Sequence, residues 1–394
     1  MNKQKLIQEY KKYVMPTYTR MPLLAVKGKG SWLWDINGRK FLDFFPGWAV
    51  SGLGHAHPLV VKALANQAKK ILHVPNNYYN ALQAKLARKI IQHSFRGKVF
   101  FCNSGAESVE AAIKLARMYG STRKKYEIIT MENSFHGRTM AALTATGQSR
   151  YKKGFTPLVK GFTQVPFNNF AALKAKISKN TAAVMLEPIQ GEGGINVACC
   201  DYLKQIRRLC DKLGLLLIFD EVQTGIGRTG KMFCYQHYGL KPDLITLAKS
   251  LGGGFPIGAL VARSEIADTL HAGTHASTFG GSPLACASGL AVFEAIEKER
   301  LLINAQKMGE YLRKRLTGLK AKYSVIKEIR GLGLMLGVEL TKDGAPVYQA
   351  CFKQGLLINC THGNVLRIMP QLAVSKAQID QAISILESAI KKER

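Results

Sequence analysis

Through the middle of the chain, short apolar runs alternate with segments that carry the helical period. The runs are Lys98–Cys102, Glu127–Met131, Ala182–Leu186, Leu215–Phe219, Leu244–Leu247 and Ile257–Val261. Apolar runs of four to six residues bounded by turn residues predict buried strands, and their alternation with amphipathic segments predicts an α/β fold with a mostly parallel sheet covered by helices on both faces. Ser108 to Tyr119 places Val109, Ala112, Ile113 and Ala116 on one helical side. Near the start, Ser31–Asp35 and Lys40–Phe44 flank Asn37-Gly38, a hairpin signal. After Gly289 the texture becomes a long helical stretch, the β-like pieces Gly333–Leu340 and Leu356–Asn359, and a final helix from Ser375. Three spans follow: 1–52, a segment packing on a small domain; 53–288, a large domain; and 289–394, a small α+β domain.

The chain has 394 residues, enough for one large and one small domain. Its 47% hydrophobic content comes with no long uncharged apolar run, so no membrane span is expected. Met1 to Lys12 is charged and lacks the apolar centre of a secretory signal, and the expected location is the cytoplasm. The eight cysteines show no Cys-x-x-Cys pair, and reduced thiols are expected. A net charge of +30 raises the question of a polyanionic partner. The basic residues, however, occur as scattered pairs such as Lys69-Lys70 and Lys152-Lys153, with no nucleic-acid module beside them. A solvated lysine-rich surface is the expectation, and nucleic acid is not an expected partner.

The candidate chemistry centres on Lys249 and Asp220. Lys249 closes an apolar strand and opens the glycine-rich turn Leu251-Gly252-Gly253-Gly254, where a lysine is awkward to bury unless something bonds to it. Asp220 ends a run too apolar to be anything but a buried strand, so its carboxylate emerges at the strand's carboxyl end, where α/β sheets place ligands. A lysine with a depressed pKa plus a carboxylate for a pyridinium nitrogen is what pyridoxal phosphate requires. Asn103-Ser104-Gly105-Ala106-Glu107 follows a strand and opens a helix, aiming backbone N–H groups at an anion. His55-Ala56-His57-Pro58 reads as a turn into a helix, and no metal site is expected. Gly331-Leu332-Gly333 lacks the full nucleotide-loop fingerprint and a following helix.

Taken in order with Ser134-Phe135-His136-Gly137-Arg138-Thr139, Glu187-Pro188-Ile189-Gln190-Gly191-Glu192, Asp220-Glu221-Val222-Gln223, Ser277-Thr278-Phe279-Gly280-Gly281 and Arg367, these motifs resemble the class III pyridoxal-phosphate aminotransferases, of fold type I, from about residue 15 onward. Within that class, Gly225-Ile226-Gly227-Arg228-Thr229-Gly230 and Tyr235-Gln236-His237-Tyr238 are most similar to the acetylornithine aminotransferase branch.

The resemblance implies roles. Lys249 would hold the cofactor as a Schiff base and move the proton; Asp220 would pair with the ring nitrogen and Gln223 with the ring hydroxyl. Phe135 and Val222 would cover the two ring faces. Ser104, Gly105 and Ala106 would cradle the phosphate, with Thr278 supplied by the neighbouring subunit of a homodimer. Arg138, helped by Ser277, would grip the α-carboxylate of the acylated ornithine. Arg367 would grip that of 2-oxoglutarate, paired with Glu192 while the amino donor is bound. The implied reaction takes the δ-amino group of N2-acetylornithine to 2-oxoglutarate in arginine biosynthesis. Succinylornithine, ornithine, 4-aminobutyrate or a carrier-bound lysine precursor are alternative donors, and a non-catalytic basic binding protein is the alternative outside enzymology. Two positions depart from the family pattern: Ala106 stands where threonine is frequent, and Trp48 where isoleucine is frequent in this branch. The indole is expected to reshape the pocket if its segment borders the acyl end.

Overall fold

The computed structural model describes residues 3–392; the outermost residues of the expected spans 1–52 and 289–394 lie outside them. Seven strands form the central sheet: β1 Gly97–Cys102, β2 Glu127–Met131, β3 Phe162–Val165, β4 Thr181–Leu186, β5 Leu216–Asp220, β6 Leu244–Leu247 and β7 Gly258–Arg263. Their order is β1-β7-β6-β5-β4-β2-β3. The β6–β5–β4–β2–β3 pairings are parallel, whereas β7 is antiparallel to both neighbours. Every residue of β4, β5 and β6 is buried, as expected of strands covered by helices on both faces.

Six of the seven strands agree with the apolar runs to within two residues; β3, Phe162–Val165, is not among those runs, because at the sheet edge only Val165 is buried and Thr163 and Gln164 interrupt the apolar pattern. The larger shift is in the helix after β1, which runs Gly105–Gly120 and starts three residues earlier than its period suggests. Its start is fixed by a capping box: Ser104 Oγ accepts from Glu107 N while the Glu107 carboxylate reaches back to the backbone of Ser104 and Asn103. An apolar period cannot register a first turn defined by caps.

Beyond the sheet, helix Pro283–Lys298 runs through the expected boundary at residue 288, and helix Leu301–Lys322 follows it. An antiparallel sheet comes next, ordered Ile326–Leu332, Met335–Leu340, Val365–Ile368, Asn359–Thr361. Helix Lys376–Lys391 starts at the cap Ser375. Near the amino terminus, Trp32–Asp35 and Lys40–Asp43 form the expected hairpin, with Gly38 at φ +79°. Strand Lys40–Asp43 also takes Leu356–Leu357 as a parallel neighbour, tying the first fifty residues to the carboxyl-terminal region. Among the described residues no helix is long and apolar enough to cross a membrane, and no three or more His, Cys, Asp or Glu side chains are grouped so as to hold a metal ion. His55 and His57 instead pair with Asp43 (2.8 Å) and Glu299 (3.1 Å).

Candidate active site

Because β2, β4, β5 and β6 run in parallel, the segments leaving their carboxyl ends gather along one edge of the sheet. These are Asn133–Arg138, Glu187–Glu192, Asp220–Gln223 and Ala248–Lys249, and with the start of helix Gly105–Gly120 they wall a cavity of about 450 Å³. Ser104, Gly105, Ala106, Phe135, Arg138, Glu192, Asp220, Val222, Gln223 and Lys249 all line it.

Lys249 sits at φ +46°, a left-handed backbone that few non-glycine residues adopt and that strained functional positions often use. Burial pulls its ammonium below the usual lysine range, and Glu192 and Asp220 oppose that shift. Asp220 is held from three directions. Its Oδ2 accepts from His136 Nδ1 at 2.7 Å, and its Oδ1 accepts from Thr246 Oγ1 at 3.0 Å and from Val222 N at 3.1 Å. Thr246 is its register partner on the adjacent strand. The carboxylate is thus locked in one rotamer while retaining capacity for a further donor.

The anion cradle follows from the capping box. Glu107 takes the amides of Asn103 and Ser104. Those of Gly105 and Ala106 belong to the first helical turn, which has no intrahelical acceptor. Glycine is required at 105, since a Cβ there would lie 2.8 Å from Val222 Cγ1. Ala106 is packed against Gly137, where a Cβ would come within 3.0 Å of the alanine methyl.

The two candidate carboxylate-binding arginines differ. Arg138 is exposed, with its guanidinium 4.2 Å from the Tyr151 ring centroid and 5.5 Å from that of Phe135. Among the described residues it has no carboxylate partner within ion-pair range. Arg367 is wholly buried; it pairs with Glu192 at 2.7 Å, donates from Nε to Asn359 Oδ1 at 2.8 Å and lies 4.8 Å above the Phe45 ring.

Ser277 and Thr278 lie elsewhere. They line a separate hollow of about 310 Å³ with Asn103 and Glu107. Ser277 Oγ accepts from Asn103 Nδ2 (3.3 Å) and Gly280 N (3.1 Å), so within one chain it does not accompany Arg138. That hollow is polar, lined also by Glu110 and His275; Phe279 at its edge is exposed, as are Leu72, Tyr78 and Tyr79 of the loop that Asn76 ties to it through the carbonyls of Ser277 and Gly280.

Sequence reasoning assigned no role to His136, Thr246 or Glu187. The Asp220–Thr246 register follows once the two strands are aligned by their ends. The His136 contact spans 84 positions and leaves no local trace.

Pyridoxal phosphate fits this set on structural grounds. Gln223 Oε1 is buried without a partner, as is His136 Nε2, which leaves polar capacity at the cavity wall. A buried lysine, a fixed carboxylate and a free helix start provide the aldehyde, pyridinium and phosphate partners.

Comparison with known proteins bears on the same question. The family model described as aminotransferase class-III matches residues 13–390. The acetylornithine aminotransferase of Caldanaerobacter subterraneus subsp. tengcongensis is 52% identical over 393 residues, covering 99% of this chain and 100% of that protein. Among solved structures, the ornithine aminotransferase of Toxoplasma gondii ME49 superposes with a TM-score of 0.96 at 34% identity, covering 100% of this chain and 97% of that one. The acetylornithine aminotransferase of Elizabethkingia anophelis gives 0.89 at 34% identity, covering both chains fully. The family match over nearly the whole chain agrees with a cavity built around a buried lysine, a locked aspartate and a helix start, and the chain belongs to the class III, pyridoxal-phosphate-dependent aminotransferases.

Proposed function

We propose that this enzyme transfers the δ-amino group of N2-acetylornithine to 2-oxoglutarate, giving N-acetylglutamate 5-semialdehyde and glutamate in arginine biosynthesis. The observation that carries this reading is a pair of unlike arginines: Arg138 lines the cavity, exposed and without a carboxylate partner among the described residues, whereas Arg367 is not among the lining residues and reaches the cavity only through Glu192, the lining residue that neutralises it. A donor with one carboxylate needs one arginine fork, whereas a dicarboxylic keto acid needs two. Glu192 cancels the second fork for the first partner and must swing aside for the second. The identity of 52% to a protein named acetylornithine aminotransferase supports the donor.

When bound, the cofactor supplies an electron sink for the carbon that gives up its proton. The protein's share follows from placement. Lys249, its charged form disfavoured by burial, attaches the cofactor and then carries the proton as general base and acid. Asp220, anchored by His136 and Thr246, would be the partner of the ring nitrogen. Gln223 would meet the ring hydroxyl, Phe135 and Val222 would cover the two faces, and the amides at Gly105 and Ala106, with Ser104, would hold the phosphate. Arg138 orients the donor by its α-carboxylate.

On this reading Ser277 and Thr278 complete the site of a second copy, so the working unit is a homodimer; the exposed Leu72, Tyr78, Tyr79 and Phe279 beside them are the apolar surface such a copy would cover. The spans 53–288 and 289–394 would be the cofactor-binding and small units, with the boundary moved off residue 288, which lies inside the continuous helix Pro283–Lys298, and the described part of 1–52 would pack on the small unit, in an enzyme of the cytoplasm.

The test is a single-turnover comparison of donors on cofactor-loaded protein. N2-acetylornithine should discharge the cofactor's absorption band at least ten-fold faster than ornithine, succinylornithine or 4-aminobutyrate, and 2-oxoglutarate should restore it. Faster discharge by another amine would move the substrate assignment.

A further inference from the structure

Glu187 is a buried acid that none of the roles above employs. It directly follows β4, is 6% exposed and lines the cavity. Its two oxygens are divided between two loops. Oε2 accepts from the backbone N–H of Phe135 at 3.0 Å, and Oε1 accepts from that of Gly191 at 3.1 Å. Phe135 belongs to the loop after β2, and Gly191 opens the turn between the short strands Ile189–Gln190 and Asn196–Val197.

Each of those amides sits beside a working group. Phe135 presents its ring to the cavity. Gly191 precedes Glu192, the partner of Arg367, and its α-carbon is pressed so closely on the Gln223 amide that a Cβ would fall 2.0 Å from Oε1. Burying a carboxylate is costly unless donors surround it. Here desolvation outweighs its two amide bonds and the nearby His136, and the group is pushed up to about 7. A carboxyl group offers an acceptor oxygen to each of two backbone donors whether or not it carries a proton.

Resting on the aminotransferase reading, we propose that Glu187 is a positioning residue that brackets the Phe135 loop to the Gly191–Glu192 loop, so that the ring-covering face and the Arg367 switch are held in register.

The test uses the full-length protein with and without pyridoxal phosphate. Glu187→Gln keeps the shape but turns an NH2 group toward one of the two amides; Glu187→Asp keeps the charge but is too short to reach both. Hydrogen exchange of the Phe135 and Gly191 amides is read in cofactor-free protein, and cofactor affinity is read by titration. Both variants should exchange at least one of these amides about ten-fold faster than the parent and bind the cofactor about ten-fold more weakly, the scale of one lost hydrogen bond that leaves a buried amide unpaired. They should also raise KM for 2-oxoglutarate more than they lower kcat for the donor half-reaction. If Glu187→Gln fails to fold, the Asp variant alone decides. Parent-like exchange and affinity in a folded variant would overturn the bracket. Neither readout depends on the amine used, so a wrong donor assignment leaves this result standing, and a parent that binds no cofactor sinks the functional reading instead.

Discussion

Arg367 and Glu192 face each other at 2.7 Å, the guanidinium wholly buried and the carboxylate on the cavity wall. On the proposed function, this pair would leave one positive site for one partner and two for the next. Removing the acid should leave Arg367 permanently available. Glu192→Gln is expected to lower KM for 2-oxoglutarate and to slow the donor half-reaction by about ten-fold, because the donor then meets an unmatched charge. Arg367→Lys, which loses the fork and the stack on Phe45, should cut kcat/KM for the keto acid by about 10- to 100-fold, the equivalent of 1.5–3 kcal/mol for a charged hydrogen bond. Separate stopped-flow traces of the two half-reactions check both.

Arg138 is held over Tyr151 and Phe135 by its flat guanidinium. A lysine keeps the charge but not the plane or the paired donors. Arg138→Lys is therefore expected to raise KM for both substrates roughly ten-fold or more, with cofactor absorption unchanged. Steady-state kinetics beside a cofactor titration separate the two effects.

The buried acid Glu221 accepts from the amides of Cys234 and Tyr235, both at 2.7 Å, and from Thr224 Oγ1 at 2.9 Å, yet desolvation pushes it up to about 7. Its folded value lies above the ordinary 4.5, so the folded protein binds the extra proton in between. The stability it contributes is full below about 4.5 and is lost as pH rises through about 7. Glu221→Gln has no such proton. The stability difference, parent minus variant, should decline by about 1–3 kcal/mol from pH 5 to pH 8. Denaturant melts of cofactor-free protein measure it, and a flat difference would refute it.

Trp48 stands at φ +55°, half exposed, with its ring edge-on to Phe45 at 5.8 Å, and Phe45 lies under Arg367. Replacing the indole with a smaller apolar group should enlarge the space beside that stack. Trp48 and Phe45 line a separate hollow of about 980 Å³ rather than the cavity at Lys249; if the donor's acyl end extends toward it, Trp48→Leu is expected to improve succinylornithine relative to N2-acetylornithine by about ten-fold, and an unchanged ratio would show that it does not. Competition between the two donors in one reaction gives the ratio directly.

Thr278 lies outside the cavity of its own chain. If a second copy uses it, Lys249→Ala and Thr278→Ala chains, each impaired alone, should complement when mixed. Half of the dimers would carry one intact site, so recovery should approach about a quarter of parental activity. Activity no higher than the sum of the separate variants would show that Thr278 serves no neighbouring site.

Most of the fold was legible because buried parallel strands leave continuous apolar runs: Glu127–Met131 and Leu244–Leu247 match their strands residue for residue. The helix start at Gly105 was not, because capping by Ser104 and Glu107 rather than an apolar stripe sets it. Ten of the expected residues line one cavity because their motifs stand at strand ends or at the start of the helix Gly105–Gly120, and the parallel sheet explains why distant motifs converge; Arg367, Ser277 and Thr278 are not among the lining residues. What motifs could not show were cross-loop partnerships. His136 on Asp220, and Glu187 on Phe135 and Gly191, depend on how the loops pack, which no spacing encodes. Ser277 and Thr278 were legible as chemistry, but their place required the fold.

The account rests on Lys249 as the residue that carries the cofactor, and this is the point to test most directly. Borohydride reduction of the cofactor-loaded protein converts a lysine–aldehyde linkage into a stable amine, which peptide mass mapping then locates. The label should fall on Lys249 alone and be absent from Lys249→Ala. A label on another lysine, or none on the parent protein, would contradict the assignment of this cavity as the catalytic site.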